Sequence, residues 1–388
     1  MAEENKTVDI LIDLLTTIVL VGFFLIDVYS LWEYKFLGYG ISSMIMAGIT
    51  VVFLILVLIQ YKDSFGVFEL LLGGLIIGMG IGAHSYGAHQ WFLNLSVYQA
   101  FFALGLAVII LNRPLKEWVF LIPLLVAGAY VIVYYFRYGR VSMTHAISMM
   151  QMNRNVFGKI VVTFGLLGSL HYYLHSVQRS FYFIFFPFIT LLLSYASKSR
   201  SAIIVAVMYV GMTIVAFFVA IIKATKNSTK RRDYLRLAIS LVIGIALIFF
   251  VVRYTLEHTR FATVGLDGSG RAGIVSGFLE AYTWKSFFVG VPPSTLGVFS
   301  NYHNSYLMVL GQSGFLGWVM LALCGWTFWV FLSLKKYVPC VFLLMLAVYS
   351  LVEYFIFLYV GDFILFPLIV YAHHEFQEQK KAKQILSK

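Results

Sequence analysis

Apolar residues in this chain fall in long, nearly unbroken stretches rather than in alternation. The stretches lie near 9–31, 40–60, 66–83, 95–112, 117–136, 156–176, 181–195, 201–222, 234–252, 304–333, 337–356 and 358–372. Most approach the roughly 20 residues that a helix needs to cross a bilayer's hydrocarbon core. A transmembrane barrel would instead show short segments of period-2 alternation. The pattern predicts an all-α fold, a polytopic bundle of about 12 transmembrane helices in one domain over residues 1–388. Glu353 and Asp362 interrupt the last two stretches, so the boundaries there are the least defined.

Composition points the same way. Hydrophobic residues make up 61% of the chain and charged residues 12%. Soluble domains carry about 25% charged residues, so this sequence lacks the polar surface of a water-facing globule. The two cysteines, Cys324 and Cys340, sit in or beside apolar runs and suggest neither a disulfide framework nor a metal cage. The first run follows Glu3 and Glu4 and precedes no convincing small-residue cleavage site, so it reads as a retained span. The net charge of +11 would fit nucleic acid in a soluble protein. In a membrane chain basic residues orient loops and meet lipid headgroups or phosphates, and no nucleic-acid partner is expected.

Lys and Arg orient the spans. With the N-terminus inside, Lys6, Lys62, Arg113, Lys116, Arg179, the cluster Lys223 to Arg236 with its run Lys230-Arg231-Arg232, Lys335, Lys336 and the tail Lys380 to Lys388 all fall in the cytoplasm. That is most of the 28 basic residues, and it places both termini in the cytoplasm. The exceptions collect on the outer side, at 137–154, at Arg200 and at 253–271. Topology does not require them there, which leaves room for another task.

Two outer segments are longer than connectors need, one near 137–155 and one near 253–303. The second contains Trp284, Phe287, Phe288 and Gly290-Val291-Pro292-Pro293, and is expected to form short amphipathic helices over the outer membrane surface. On the outer side four groups carry possible chemistry. His303-Asn304 precedes a long apolar helix running through Gly314 and Gly317, where His303 can accept a proton and the helix end can attract an anion. The same pair can equally serve as a cap at the interface. Arg271, in Gly268-Ser269-Gly270-Arg271, can bind phosphate oxygens bidentately or contact a lipid headgroup.

Arg200, in Ser197-Lys198-Ser199-Arg200, stands where a helix dipole is positive. An anionic partner would relieve that conflict, as would snorkelling to the headgroup layer. Arg137, Arg140, Arg154 and Arg260 add positive charge to the same outer face, with His145 beside the first of the long segments. His84 and His89 lie on a short outer loop, whereas His171 and His175 belong near the cytoplasmic side. Asp9, Asp13 and Asp27 fall in the first span, the first two near its inner end. No Asp-x-Asp or His-x-x-x-His spacing on the outer side suggests a divalent metal, and no cofactor is expected. Arginines would then have to supply the charge stabilisation that a metal supplies elsewhere.

Over about 195–335 the chain resembles the O-antigen ligase/polymerase superfamily of bacterial membrane glycosyltransferases. The resemblance rests on Ser199-Arg200 with Ala202, on Ser269-Gly270-Arg271, and on His303-Asn304-Ser305-Tyr306-Leu307 with Gly314 and Gly317. Asn153-Arg154-Asn155 followed by Gly158 adds an Asn-rich element before a mid-chain span. Gly290-Val291-Pro292-Pro293 departs from the more usual Gly-x-Gly at its place.

The resemblance implies a fold like the GT-C-type membrane glycosyltransferases with a periplasmic loop subdomain. It implies residence in the bacterial inner membrane and inverting, metal-independent transfer of a glycan from undecaprenyl diphosphate at the periplasmic face. His303, Arg271 and Arg200 would be catalytic. Asn304, Arg154, Arg137, Arg140 and Arg260 would bind substrate. The acceptor would be a glycan chain, for a polymerase, or lipid A–core, for a ligase; membrane lipids and a chain-length regulator would be further partners. The Ser-Gly-Arg element and the compact stretch from Arg271 to His303 favour a polymerase. A lipid-linked oligosaccharide flippase is the alternative of a different class, but transporters gather polar groups at mid-depth rather than on one face.

Overall fold

The computed structural model describes residues 2–29, 39–85, 90–137, 154–175, 182–226, 271–292 and 302–386, with scattered helical residues between 246 and 257. Among them the chain is helical and without strands. In chain order the helices are α1 (Ala2–Tyr29), α2 (Tyr39–Gln60), α3 (Val67–Ser85), α4 (Gln90–Asn112), α5 (Trp118–Arg137), α6 (Arg154–Leu174) and α7 (Tyr182–Ser197). There follow α8 (Arg200–Lys226), α9 (Arg271–Ala281), α10 (Trp284–Val289), α11 (Ser305–Ser313), α12 (Phe315–Ser333), α13 (Tyr337–Val352) and α14 (Asp362–Leu386). A short 3-10 turn, Lys62–Ser64, links α2 to α3.

Thr7–Leu25, Asn155–Leu174 and Phe315–Ser333 are long and apolar enough to cross a membrane, and among the described residues seven other helices carry apolar segments of 10–17 residues. Helices that are apolar all round belong inside a bundle. Accordingly α4, α6 and the first half of α14 form the centre. Phe102, Ala103, Leu106, Ala107, Ile109 and Ile110 of α4 are fully buried, as are Phe363, Ile364, Leu365, Leu368 and Ile369 of α14. Phe102 joins α1, α2 and α14 through Phe23, Phe53 and Phe363, with ring centroids 6.1, 4.7 and 5.3 Å from its own. Outward-facing positions are also apolar: Met44, Ile59, Leu70, Leu71, Ile81 and Leu192 are all well exposed. A soluble monomer rarely exposes so much contiguous apolar surface, whereas lipid would cover it.

Two expectations from the apolar runs need correction. The run at 304–333 is not one helix. It breaks at Gly314, which has φ +49° and serves both as the end of α11 and the start of α12. A Cβ on Gly314 would strike the Phe288 carbonyl oxygen, and one on Gly317 would strike the Val309 carbonyl oxygen. The absent side chains let α12 fold back against α11 while α10 lies across the joint. The runs at 337–356 and 358–372 also divide differently. Helix α13 stops at Val352, residues 353–361 form a buried non-helical crossing, and α14 continues to Leu386. The predicted span at 234–252 lies almost wholly outside the described residues.

The bundle has two polar ends. At one, Arg113 between α4 and α5 reaches Asp13 of α1 at 2.6 Å and Asp9 at 3.1 Å, and donates through Nε to the Tyr61 hydroxyl at 2.8 Å. Burial alone would lower the Arg113 pKa, but the hydrogen bond and charge of Asp13 outweigh it and hold it above the ordinary value. Burial raises the Tyr61 pKa against the opposing pull of Arg113. His171 Nε2 accepts the Leu115 N–H at 2.9 Å, and His175 Nε2 lies 2.6 Å from the Ile110 carbonyl oxygen. Lys336 meets Glu375 at 2.5 Å at this end too. The other end gathers the starts of α6, α8, α11 and α14.

Candidate functional site

This second end is built from tight junctions. Between α7 and α8 the Ser197 hydroxyl donates to the Ser194 carbonyl at 2.7 Å and accepts the Ser199 N–H at 3.1 Å. Lys198 takes a left-handed φ of 52°, which turns the chain so that α8 begins at Arg200. Arg200 is half-buried, with its cationic side chain at the helix end where the dipole favours anions. Helix α6 starts beside this turn. A Cβ on Gly158 would lie 2.7 Å from the Ala202 Cβ and 3.0 Å from the Ser199 Cβ, so glycine lets the two helices touch.

The His303 segment is anchored on both sides. Tyr302 is buried; its hydroxyl donates to the Val291 carbonyl and its ring meets Phe278 of α9 edge-on at 5.9 Å. His303 is exposed and carries a left-handed φ of 47°. Asn304 caps α11: its Oδ1 accepts the N–H groups of Tyr306 at 2.8 Å and Leu307 at 3.1 Å. Its Nδ2 donates to the Leu351 carbonyl at 2.9 Å. Ser305 is fully buried, and its hydroxyl donates to the Glu353 carbonyl while accepting the Phe355 and Ile356 amides. The capping role of Asn304 is therefore real.

The 353–361 crossing supplies the other wall. Phe357 and Leu358 have positive φ, which turns successive amides inward. The Asp362 carboxylate fills that concavity, accepting from Phe357 at 2.8 Å, Leu358 at 2.7 Å and Tyr359 at 3.2 Å. At the crossing's start the Glu353 carboxylate accepts the Asn155 amide at 2.9 Å and pairs with Lys159 at 3.5 Å, both on α6. The Glu353 and Lys159 side chains are 5% and 6% exposed, a buried ion pair that needs its extra hydrogen bond to offset desolvation. The Lys159 ammonium also lies 4.9 Å from the Tyr359 ring centroid.

The structure thus brings Arg200, His303 and Asn304 to one end of the bundle. Arg154 and Arg271 are the first residues of α6 and α9, and Arg137 is the last of α5; their side chains are outside the described set. Arg140, His145 and Arg260 lie outside the described residues, as does His89. His171 and His175 sit at the opposite end, and Asp9 and Asp13 are there as partners of Arg113. Sequence reasoning passed over Glu353 and Lys159 as site residues. The available signal was an ionisable residue within each of two apolar runs, which marks a functional suspect by default. Among the described residues no group of three or more His, Cys, Asp or Glu side chains is placed to hold a metal ion.

Three described helices, α6, α8 and α9, begin with arginine. Cations there oppose the dipole, and a bound polyanion would reverse the sign of that interaction. Chemically, the end offers the Arg200 cation at a helix start and the exposed His303 imidazole on a turn of positive φ. No protein-family model matches the chain, and neither the curated proteins nor the solved structures give a match.

Proposed function

We propose that this protein is a glycosyltransferase of the periplasmic face of the bacterial inner membrane, with undecaprenyl-diphosphate-linked glycan as donor. In this reading the chain crosses the membrane about 12 times with both termini in the cytoplasm, and the Arg200–His303 end faces the periplasm. The observation that carries it is the joining of Arg200 and His303 at one end, on elements tied together through the start of α6 and the 351–356 segment.

The acceptor hydroxyl oxygen attacks the anomeric carbon, and the bond from that carbon to the phosphate oxygen breaks with inversion. The electron pair leaves on the lipid diphosphate, whose charge Arg200 and Arg271 stabilise. The hydroxyl proton goes to His303 in its role as base. In the alternative role His303 binds the diphosphate, and the proton passes to the leaving group or to water. Asn304 orients the turn that carries His303. Arg154, Arg137, Arg140 and Arg260 extend the positive surface toward the polyanionic donor.

The acceptor divides two versions of the activity. A polymerase adds a repeat unit to the growing glycan, whereas a ligase delivers the finished polymer to lipid A–core. The polymerase is the first choice, on the Ser269-Gly270-Arg271 element and the short interval to His303. The lipopolysaccharide ladder of a strain lacking the gene separates them. Core bearing a single repeat unit identifies the polymerase, and bare core with polymer left on the lipid carrier identifies the ligase. Unchanged lipopolysaccharide and lipid-linked glycan would count against both. Labelling of cysteines introduced in 253–303 from the cytoplasmic side alone would overturn the orientation.

A further inference from the structure

His303 takes a left-handed φ of 47°, which is uncommon outside glycine although His adopts it more readily than most residues, and its neighbours hold it there. The imposing contacts on its C-terminal side converge on one segment. Asn304 is tied to the Leu351 carbonyl, and Ser305 is tied to the Glu353 carbonyl and to the amides of Phe355 and Ile356. That segment is non-helical from Glu353 onward, so its own ladder does not fix it. Beside the burial of Phe355 and Ile356, the charged contact that fastens its start to the bundle is the Glu353 carboxylate, held by Asn155 and Lys159 of α6.

We propose that Glu353 is a positioning residue for His303, acting through the 351–356 main chain, with Lys159 and Asn155 as its anchors. The buried pair is costly to assemble and would be a poor choice for stability alone, because an apolar pair of similar volume commonly serves as well or better. Its value is directional: a charge-assisted contact fixes the register of the segment against α6, and α6 also carries Gly158 at its contact with the Arg200 turn. The Lys159–Glu353 pair therefore sets the separation of the imidazole from the arginine side of the site. The catalytic consequence rests on the glycosyltransferase reading; the geometric consequence does not.

The test uses the full chain in detergent and in proteoliposomes, with Glu353→Gln as the variant. Carbethoxylation by diethyl pyrocarbonate, read peptide by peptide, reports His303 against His374, an exposed histidine at the other end of the bundle. The expected result is a several-fold shift in the His303 to His374 ratio; an unchanged ratio overturns the proposal. In parallel, transfer from undecaprenyl-diphosphate-linked glycan is measured for E353Q, H303A and the double variant. Loss in E353Q should reach about 10²-fold, the cost of a misplacement on the order of 1 Å. It should appear in kcat rather than KM and vanish when His303 is already alanine. Losses that multiply in the double variant show Glu353 acting apart from His303 and overturn the proposal. A shifted ratio with no transfer by the wild type, or none lost in H303A, leaves the positioning role standing and removes the enzymatic reading. If E353Q does not fold, Asn155→Ala weakens the same carboxylate anchor and is judged by the same outcomes.

Discussion

The Ser305 hydroxyl donates to the Glu353 carbonyl oxygen at 3.1 Å and accepts the amides of Phe355 at 2.8 Å and Ile356 at 3.3 Å. One side chain at the first position of α11 thereby serves three main-chain groups at the start of a buried, non-helical crossing. Ser305→Ala leaves two buried amides and one carbonyl without that partner. The expected cost is about 1–3 kcal/mol for each group left unsatisfied. A fall in the thermal midpoint of the purified protein checks it, and Ser305→Thr, which keeps the hydroxyl, should lose less.

Asp362 does the corresponding work at the far end of the crossing. Its carboxylate accepts three consecutive amides, two of them from residues with positive φ. Asp362→Ala should cost more than Ser305→Ala, because hydrogen bonds to a charged group contribute about 1.5–3 kcal/mol each. Asp362→Asn should fall between, since one of its two oxygens becomes an NH₂ facing donors. Limited proteolysis between α13 and α14, compared with wild type, reads the loosening directly.

Gly314→Ala tests the joint between α11 and α12. The new Cβ would collide with the Phe288 carbonyl and lie 2.8 Å from the Gly290 nitrogen, and φ +49° is strained for alanine. Destabilisation of at least about 1–3 kcal/mol is expected. Gly325 is the control: it lies within α12 with open space around it, so Gly325→Ala should gain up to about 1 kcal/mol. Thermal unfolding of the two variants under identical detergent conditions should move in opposite directions.

Removing Arg113 leaves Asp13, whose side chain is 2% exposed, without its cation and with the Lys116 N–H at 3.3 Å as a weaker partner. Arg113→Met should destabilise by up to about 3–5 kcal/mol, less the part that the half-exposed Asp9 recovers from water. Adding Asp13→Asn should restore much of the loss, and the double-variant cycle measures how much. Because burial raises the Tyr61 pKa, the phenol stays neutral past its unfolded value near 10. Its share of stability is whole below about pH 10 and is lost as pH rises through the higher folded value.

Much of the architecture was legible as apolar runs. The stretches at 40–60, 66–83 and 117–136 correspond to Tyr39–Gln60, Val67–Ser85 and Trp118–Arg137 within two residues. The break at Gly314 was not, because hydropathy continues through it and does not record backbone sign. The crossing at 353–361 was hidden for a related reason. Phe355, Ile356, Phe357, Leu358 and Val360 are buried and apolar, so a loop inside the bundle reads like a span. Asp362 was visible as an interruption, and an acid at the start of a helix has a physical reading that would have moved the boundary. At the candidate site, Arg200 and the cap Asn304 could be read from helix-end logic. The bond from Asn155 and the pair of Lys159 with Glu353 could not, since only tertiary packing unites two apolar runs so far apart in the chain.

The proposed glycan transfer, served jointly by Arg200, Arg271 and His303, is open to direct assay. Purified wild-type protein in proteoliposomes, given undecaprenyl-diphosphate-linked repeat units and a glycan acceptor in the presence of a chelator, tests it most directly. Longer lipid-linked glycans are expected from the wild type, with rates lower by about 10²–10³ in each of R200A, R271A and H303A. Full transfer by any one of the three variants would contradict it.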